Sequence, residues 1–225
     1  MALLIPVKKN QTLSDKAYDI IRNAIVFHEL NPSDGLTEEH LSEQLSISRT
    51  PIRTALRRLV DEGLAEISGK SIIVSNVSHT DIVKISQVRT HLELLVMDEL
   101  RGNVTPPLIA QLRETVARQT EAVQAATADY VEYIRQDYLF HTILAQGTDN
   151  KYLLDMVERI NTHSTRCLML VPNLPYAHSH AIQEHTQIID ALESGNYSAA
   201  YKAMEEHLSQ IVARFKLVNP EQEAK

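Results

Sequence analysis

A single cysteine, Cys167, stands in a chain of 225 residues, so no disulfide can form within it. That absence fits a reducing compartment, and the cytoplasm is the expected location. No apolar run is long enough to span a bilayer. The stretch Ala2-Leu3-Leu4-Ile5 is too short for a signal peptide, and its lysines follow the apolar residues instead of preceding them. Net positive charge is missing too: the formal charge is −7, which argues against indiscriminate nucleic-acid binding. There is no internal repeat, low-complexity tract or Gly/Ser-rich tether, so two closely coupled domains are expected. From residue 79 onward no β-rich run occurs. Glu-x-x-His, the ligand pattern of di-iron helix bundles, is absent.

What is present starts with an apolar content of 44%, enough to build globular cores. The charge is unevenly spread. Residues 1–75 carry 9 basic and 10 acidic residues, net −1, while residues 76–225 carry 13 and 19, net −6. An acidic second half repels DNA, so any DNA contact belongs to the first half and needs a local basic surface.

Residues 48–62 supply such a surface. Ser48 is placed to cap a helix, Pro51 sits in its first turn, and Gly63 stands where a helix ends. Ile52, Ala55, Leu56 and Leu59 form a buried face, and Arg49, Arg53 and Arg57 form a row beside it. Arginine reads guanine in the major groove and clamps phosphates. A solvated arginine face is the other outcome that this helix alone allows. Upstream, residues 36–45 read as a short helix capped by Thr37, with Leu41 and Leu45 inward and a tight turn at Ser46-Ile47. Downstream, Leu64–Ile67 and Ile72–Val74 are β-type runs joined by Ser68-Gly69-Lys70-Ser71. Helix, turn, arginine helix and hairpin in that order spell a winged helix-turn-helix. A first helix runs from about Leu13 or Ser14 to Glu29, with Ala17, Ile20, Ile21, Ala24 and Ile25 on one face, after a loose leader over residues 1–12.

The run Leu45-Ser46-Ile47-Ser48-Arg49-Thr50-Pro51-Ile52-Arg53-Thr54-Ala55-Leu56-Arg57-Arg58-Leu59, with Glu62-Gly63-Leu64, resembles the signature of the GntR family of bacterial transcription regulators. The resemblance implies that Arg49, Thr50 and Arg53 contact operator DNA, with Arg57 in the same row and Gly69 at the wing tip. Ser42 and Ser46 stand where the family usually has Ala and Gly. Glu39 stands where some members carry a DNA-contacting arginine.

The rest of the chain is helical in pattern, over about 79–101, 105–127, 129–147, 150–170, 176–194 and 197–217, with a frayed tail at 218–225. Ser78 or Thr80 caps the first of these, and one break falls at Pro172–Pro175. Short turns between six helices make an antiparallel bundle. The expected fold is therefore mainly α: a winged helix over 1–75 and a six-helix bundle over 76–225.

Asp137 and His141 lie four residues apart on one helix face. His185 and His207 lie at similar distances either side of the turn at Gly195-Asn196, so an antiparallel hairpin sets them level. Three histidines and a carboxylate suit Zn²⁺, Ni²⁺ or Mn²⁺ with positions left open for a ligand. Ten histidines also give chance pairs, and spacing alone leaves that alternative open. Asp-x-x-Phe-His followed by two later histidines resembles the FCD ligand domain of the FadR-type branch of GntR regulators, in its six-helix, VanR-like form. That resemblance implies Asp137, His141, His185 and His207 as metal ligands. Arg89 and Glu93 match a further part of the pattern, in which Arg89 binds a carboxylate effector; a surface Arg–Glu pair is the alternative. His163 could also face the pocket, while Tyr138, Phe140, Met169 and Leu170 read as packing. The expected function is a non-enzymatic, homodimeric regulator, a repressor that leaves operator DNA when a small carboxylate binds. A metal-dependent enzyme using the same bundle site is the competing reading.

Overall fold

The computed structural model describes residues 11–125, 127–169 and 177–218. The leader as far as residue 10, Leu170, the break at Pro172–Pro175 and the tail from 219 lie outside them. The chain divides into two compact units, with the boundary between Asn76 and Val77.

The first unit holds α1 (Leu13–Val26), α2 (Glu38–Leu45), α3 (Arg49–Asp61) and the antiparallel strands β1 (Ala65–Ser68) and β2 (Ser71–Val74). Helix α1 starts with a capping box between Thr12 and Asp15 and stops at Val26, short of the expected Glu29. Ala17, Tyr18, Ile21, Ile25 and Val26 are its buried side. Ile20 is exposed, because the stripe is centred one residue further round the helix than expected. Tyr18 ties α1 to α3: its hydroxyl donates to Glu62, and the Arg58 guanidinium stacks on its ring at 3.6 Å. The segment before α2 runs along the outer edge of β2. Leu36 N donates to Ile72 O at 2.8 Å and Ser33 N to Val74 O at 2.9 Å.

Two serines build the turn between α2 and α3. Ser46 takes a left-handed conformation, φ 54°, where a side chain is strained. The Ser42 hydroxyl donates to Ile47 O at 2.6 Å and so holds the turn closed. Ser48 has the extended backbone of an N-cap, but its side chain makes no capping bond, contrary to expectation. Gly63, at φ 76°, lets the chain leave α3. Gly69, at φ 62°, opens the two-residue turn of the wing, which the Ser68–Ser71 pair closes.

The second unit consists, among the described residues, of six helices: α4 (His79–Glu99), α5 (Pro106–Gln124), α6 (Tyr130–Gln146), α7 (Lys151–Met169), α8 (Ala177–Glu193) and α9 (Tyr197–Val218). Ser78 caps α4 in a box with Asp81. The helices close a ring: α4 packs on α7 and α9, α7 on α6, α6 on α5, α5 on α8, and α8 on α9. One end of the ring is filled by Leu100, Leu108, Leu112, Leu144, Val157, Leu192 and Met204. Cys167 is buried as well, and burial pushes its thiol up to about 12, so it behaves as a small apolar side chain.

Strain at Ser46 gives a local test. Ser46→Gly removes the left-handed penalty and should slow amide exchange across residues 37–62, a gain of roughly 0.5–1 kcal/mol after the entropic cost of glycine. Exchange mass spectrometry that finds no slowing would show that the turn carries no strain.

Candidate metal centre and nucleic-acid interface

Asp137 and His141 on α6, His185 on α8 and His207 on α9 come together inside the bundle. One ligand atom from each lies within 4.8 Å of all the others. All four are buried, with exposures of 5%, 1%, 0% and 1% in that order. The two α8 and α9 imidazoles face each other through Nε2 atoms 3.3 Å apart, and Asp137 Oδ1 lies 3.6 Å from His185 Nε2. Phe140 forms one wall, stacked on His185 with ring centroids 4.1 Å apart.

Each imidazole is held from behind through Nδ1. His141 Nδ1 is bonded to Glu93, His185 Nδ1 to Gln119 Oε1 at 3.0 Å, and His207 Nδ1 to Glu184 Oε2 at 2.7 Å. With Nδ1–H donated outward, the lone pair of every Nε2 points at the shared centre, as metal-ligating histidines require. His141 Nε2 is buried and meets no hydrogen-bond partner in the protein. This donor set fits a divalent metal.

Glu93 links this centre to Arg89. Arg89 Nε donates to Glu93 Oε1 at 2.7 Å and Arg89 Nη1 donates to Ser164 Oγ at 2.9 Å. The expected alternative of a surface Arg–Glu pair is ruled out, since both side chains are buried. Burial opposes the charge on Glu93, but His141 and the Arg89 guanidinium outweigh it and hold the carboxyl low, at about 2. Burial lowers His141, against the opposing pull of the Glu93 carboxylate. Glu93, Gln119 and Glu184 were not legible as imidazole partners, because 48, 66 and 23 residues separate them from the histidines they hold. His163 is half-buried and, two residues from Asn161, lies on another side of α7.

On the first unit, Arg49, Thr50, Arg53 and Arg57 are all exposed along α3, and Gly69 is exposed at the wing tip. Two of the arginines are held by acids of α2. Arg49 Nη2 donates to Glu39 at 2.6 Å, and Arg53 donates through Nε and Nη2 to both oxygens of Glu38 at 2.7 Å. The Arg53 hydrogen bonds lower the Glu38 carboxyl below its usual range. Exposed pairs of this kind add little stability. They fix the direction of two guanidinium groups before any partner arrives.

Removing the carboxylate at the junction tests this geometry. Glu93→Leu leaves the buried Arg89 charge without its counter-charge and the His141 Nδ1–H without an acceptor, a loss of about 3–5 kcal/mol. Urea denaturation of the full chain in the presence of chelator reads it. A loss under about 1 kcal/mol would mean that other groups satisfy Arg89.

The sequence profile described as "Bacterial regulatory proteins, gntR family" matches residues 13–74, and that of the FCD domain matches residues 84–210. The transcriptional repressor RspR of Escherichia coli is 24% identical over 212 residues, covering 94% of this chain and 92% of RspR. The gluconate operon transcriptional repressor of Bacillus subtilis is 29% identical over 154 residues, 67% of this chain and 62% of that protein. Among solved structures, E. coli McbR/YncC has a TM-score of 0.80 at 22% identity, over 92% of this chain and 98% of the other, so the two share a fold. The chain belongs to the GntR family of bacterial transcription regulators, in the FadR-type branch whose C-terminal half is an FCD domain.

Proposed function

We propose that this regulator is a repressor whose hold on operator DNA is released when a small carboxylate binds at a divalent metal in the helical bundle. The first unit is the DNA reader and the second the sensor. The observation that carries the sensor half is the convergence of Asp137, His141, His185 and His207, each imidazole oriented by a partner on Nδ1. Zn²⁺, Ni²⁺ or Mn²⁺ suits three imidazoles and a carboxylate, and would supply open coordination positions for an effector carboxylate. Arg89 would take the effector's charge: it has five N–H donors, of which Glu93 and Ser164 occupy two. The Bacillus relative is named for the operon of gluconate, a carboxylate. Release of DNA requires that the effector bind two states of the protein unequally.

On the DNA side, Arg49, Thr50, Arg53 and Arg57 enter the major groove and Gly69 lets the wing approach the minor groove. The pairing of Arg53 with Glu38 supports a preset geometry for base reading. The working species is a homodimer. Large apolar side chains are exposed on the adjacent helices α4 and α7: Val88 and Leu95 on the first, Tyr152 and Met156 on the second. Adjacent exposed apolar groups of this kind mark association surfaces. No described helix is long and apolar enough to cross a membrane, and a protein that reads the chromosome works in the cytoplasm.

Arg53→Ala should weaken binding to a duplex selected from a randomised pool by about 1–3 kcal/mol, the worth of a lost bidentate base contact. The parent's footprint on that duplex should show two half-sites about one helical turn apart, as a dimer requires. Equal affinity of variant and parent, or a single half-site, would refute the DNA-side reading.

The metal reading makes a separate prediction. Protein purified without chelators should carry a transition metal, or accept one, and His185→Ala should lose it while binding the selected duplex as the parent does. Elemental analysis decides this. A parent that neither carries nor takes up a transition metal would overturn the sensor reading.

A further inference from the structure

The polar level of the bundle contains more hydrogen-bonding groups than a metal centre uses. Asn161, on α7, is 2% exposed, and neither its Oδ1 nor its Nδ2 meets a hydrogen-bond partner in the protein. Gln119, on α5, is fully buried; its Oε1 serves His185, and its Nε2 has no partner. A buried amide atom left unpaired costs about 1–3 kcal/mol. Three such atoms within one bundle are satisfied by ordered water or by a bound ligand.

Their position ties them to the metal ligands. Helices α6 and α7 run antiparallel from the turn at Gly147–Asn150 to the bond between the Tyr130 hydroxyl and Leu168 O. Counting along both helices from that turn sets Asn161 level with Asp137. Val157, Asn161 and Ser164 form one stripe of α7 at helical spacing, and all three are buried. Ser164 is buried against α4, where it bonds Arg89. Asn161 thus lies one turn from the Arg89 contact, on the inner stripe. Gln119 reaches the same level from the other neighbour of α6, through His185.

The chemistry of the amide narrows the ligand. Oδ1 needs a donor and Nδ2 needs an acceptor. A carboxylate or a ketone offers acceptors only and would leave Oδ1 unpaired; an ammonium offers donors only and would leave Nδ2 unpaired. A water does both, and among the groups of a small acid a hydroxyl is the smallest that does. We propose that Asn161, assisted by Gln119, forms a hydroxyl-reading subsite beside the metal centre, so that the effector is a small hydroxycarboxylate and not a plain acid. This rests on the metal–carboxylate reading above and specifies the ligand class of that site.

The test uses full-length protein loaded with zinc and matched pairs of acids that differ by one hydroxyl: glycolate with acetate, malate with succinate, and 3-hydroxybutyrate with butyrate. Calorimetric titration should give at least one pair in which the hydroxy acid binds about tenfold tighter or more, because a site built to bond a hydroxyl rejects the analogue that lacks it. Asn161→Leu should collapse that ratio to within about twofold by weakening the hydroxy acid, with zinc content unchanged. If no acid of either kind binds the zinc-loaded parent, the carboxylate reading fails and the hydroxyl subsite with it. If acids bind but every pair is equal, only the hydroxyl subsite is overturned, and this result needs no variant to fold. A preference that persists in Asn161→Leu removes Asn161 from the site.

Discussion

The second unit depends on the cost of burying imidazoles and charges. Three histidines, an aspartate, an arginine and a glutamate lie together inside a ring of helices where water is excluded. An unpaired charge there would cost about 3–5 kcal/mol, a large part of what a domain gains on folding. The arrangement avoids this by giving each group a partner on its outer side. Glu93 serves Arg89 and His141 at once, Gln119 serves His185, and Glu184 serves His207. What is left over is one lone pair per imidazole, all directed inward. The same bonds that make burial tolerable therefore also set the tautomers that a metal needs.

That constraint explains the distribution of the other side chains. The apolar filling of Leu100, Leu108, Leu112, Leu144, Val157 and Met204 is concentrated at one end of the ring, leaving the level of Asp137 for polar groups. Every helix of the ring sends at least one polar or charged side chain to that level: Glu93 from α4, Gln119 from α5, Asp137 and His141 from α6, Asn161 from α7, Glu184 and His185 from α8, and His207 from α9. Hydrogen bonds join α4 to α6, α5 to α8 and α8 to α9 through these groups, and Ser164 joins α7 to α4.

The first unit solves a different problem, that of presenting arginines outward on a small scaffold. Ile52, Ala55, Leu56 and Leu59 sink one face of α3, and Arg58 is spent on Tyr18, Asp15 and Glu62. Arg49, Arg53 and Arg57 remain outside. Ser42 and Ser46 replace the small residues that the family usually places in the turn. The hydroxyl bond to Ile47 O offsets part of the strain that Ser46 introduces.

Local pattern was enough for much of this. Helical periodicity, capping residues and turn residues specify the helices, because those signals act within one or two turns of chain; α6 and α9 begin within a residue of the expected positions. The i, i+4 spacing of Asp137 and His141 and the level setting of His185 and His207 across one hairpin are also local geometry, so the four-residue cluster was legible. The turn conformation of Ser46, the edge pairing of residues 33–36 with β2 and the exposure of Ile20 were not, because packing partners distant in sequence decide them. The same holds for the functional layer. Whether Arg89 and Glu93 form a surface pair or a buried one, and whether an amide such as Asn161 is left unpaired, depends on which helices close the ring. Sequence determined the elements and the side chains of the cluster; only the tertiary structure decided which buried groups satisfy one another and which meet no partner in the protein, since that balance is set by desolvation across all six helices at once.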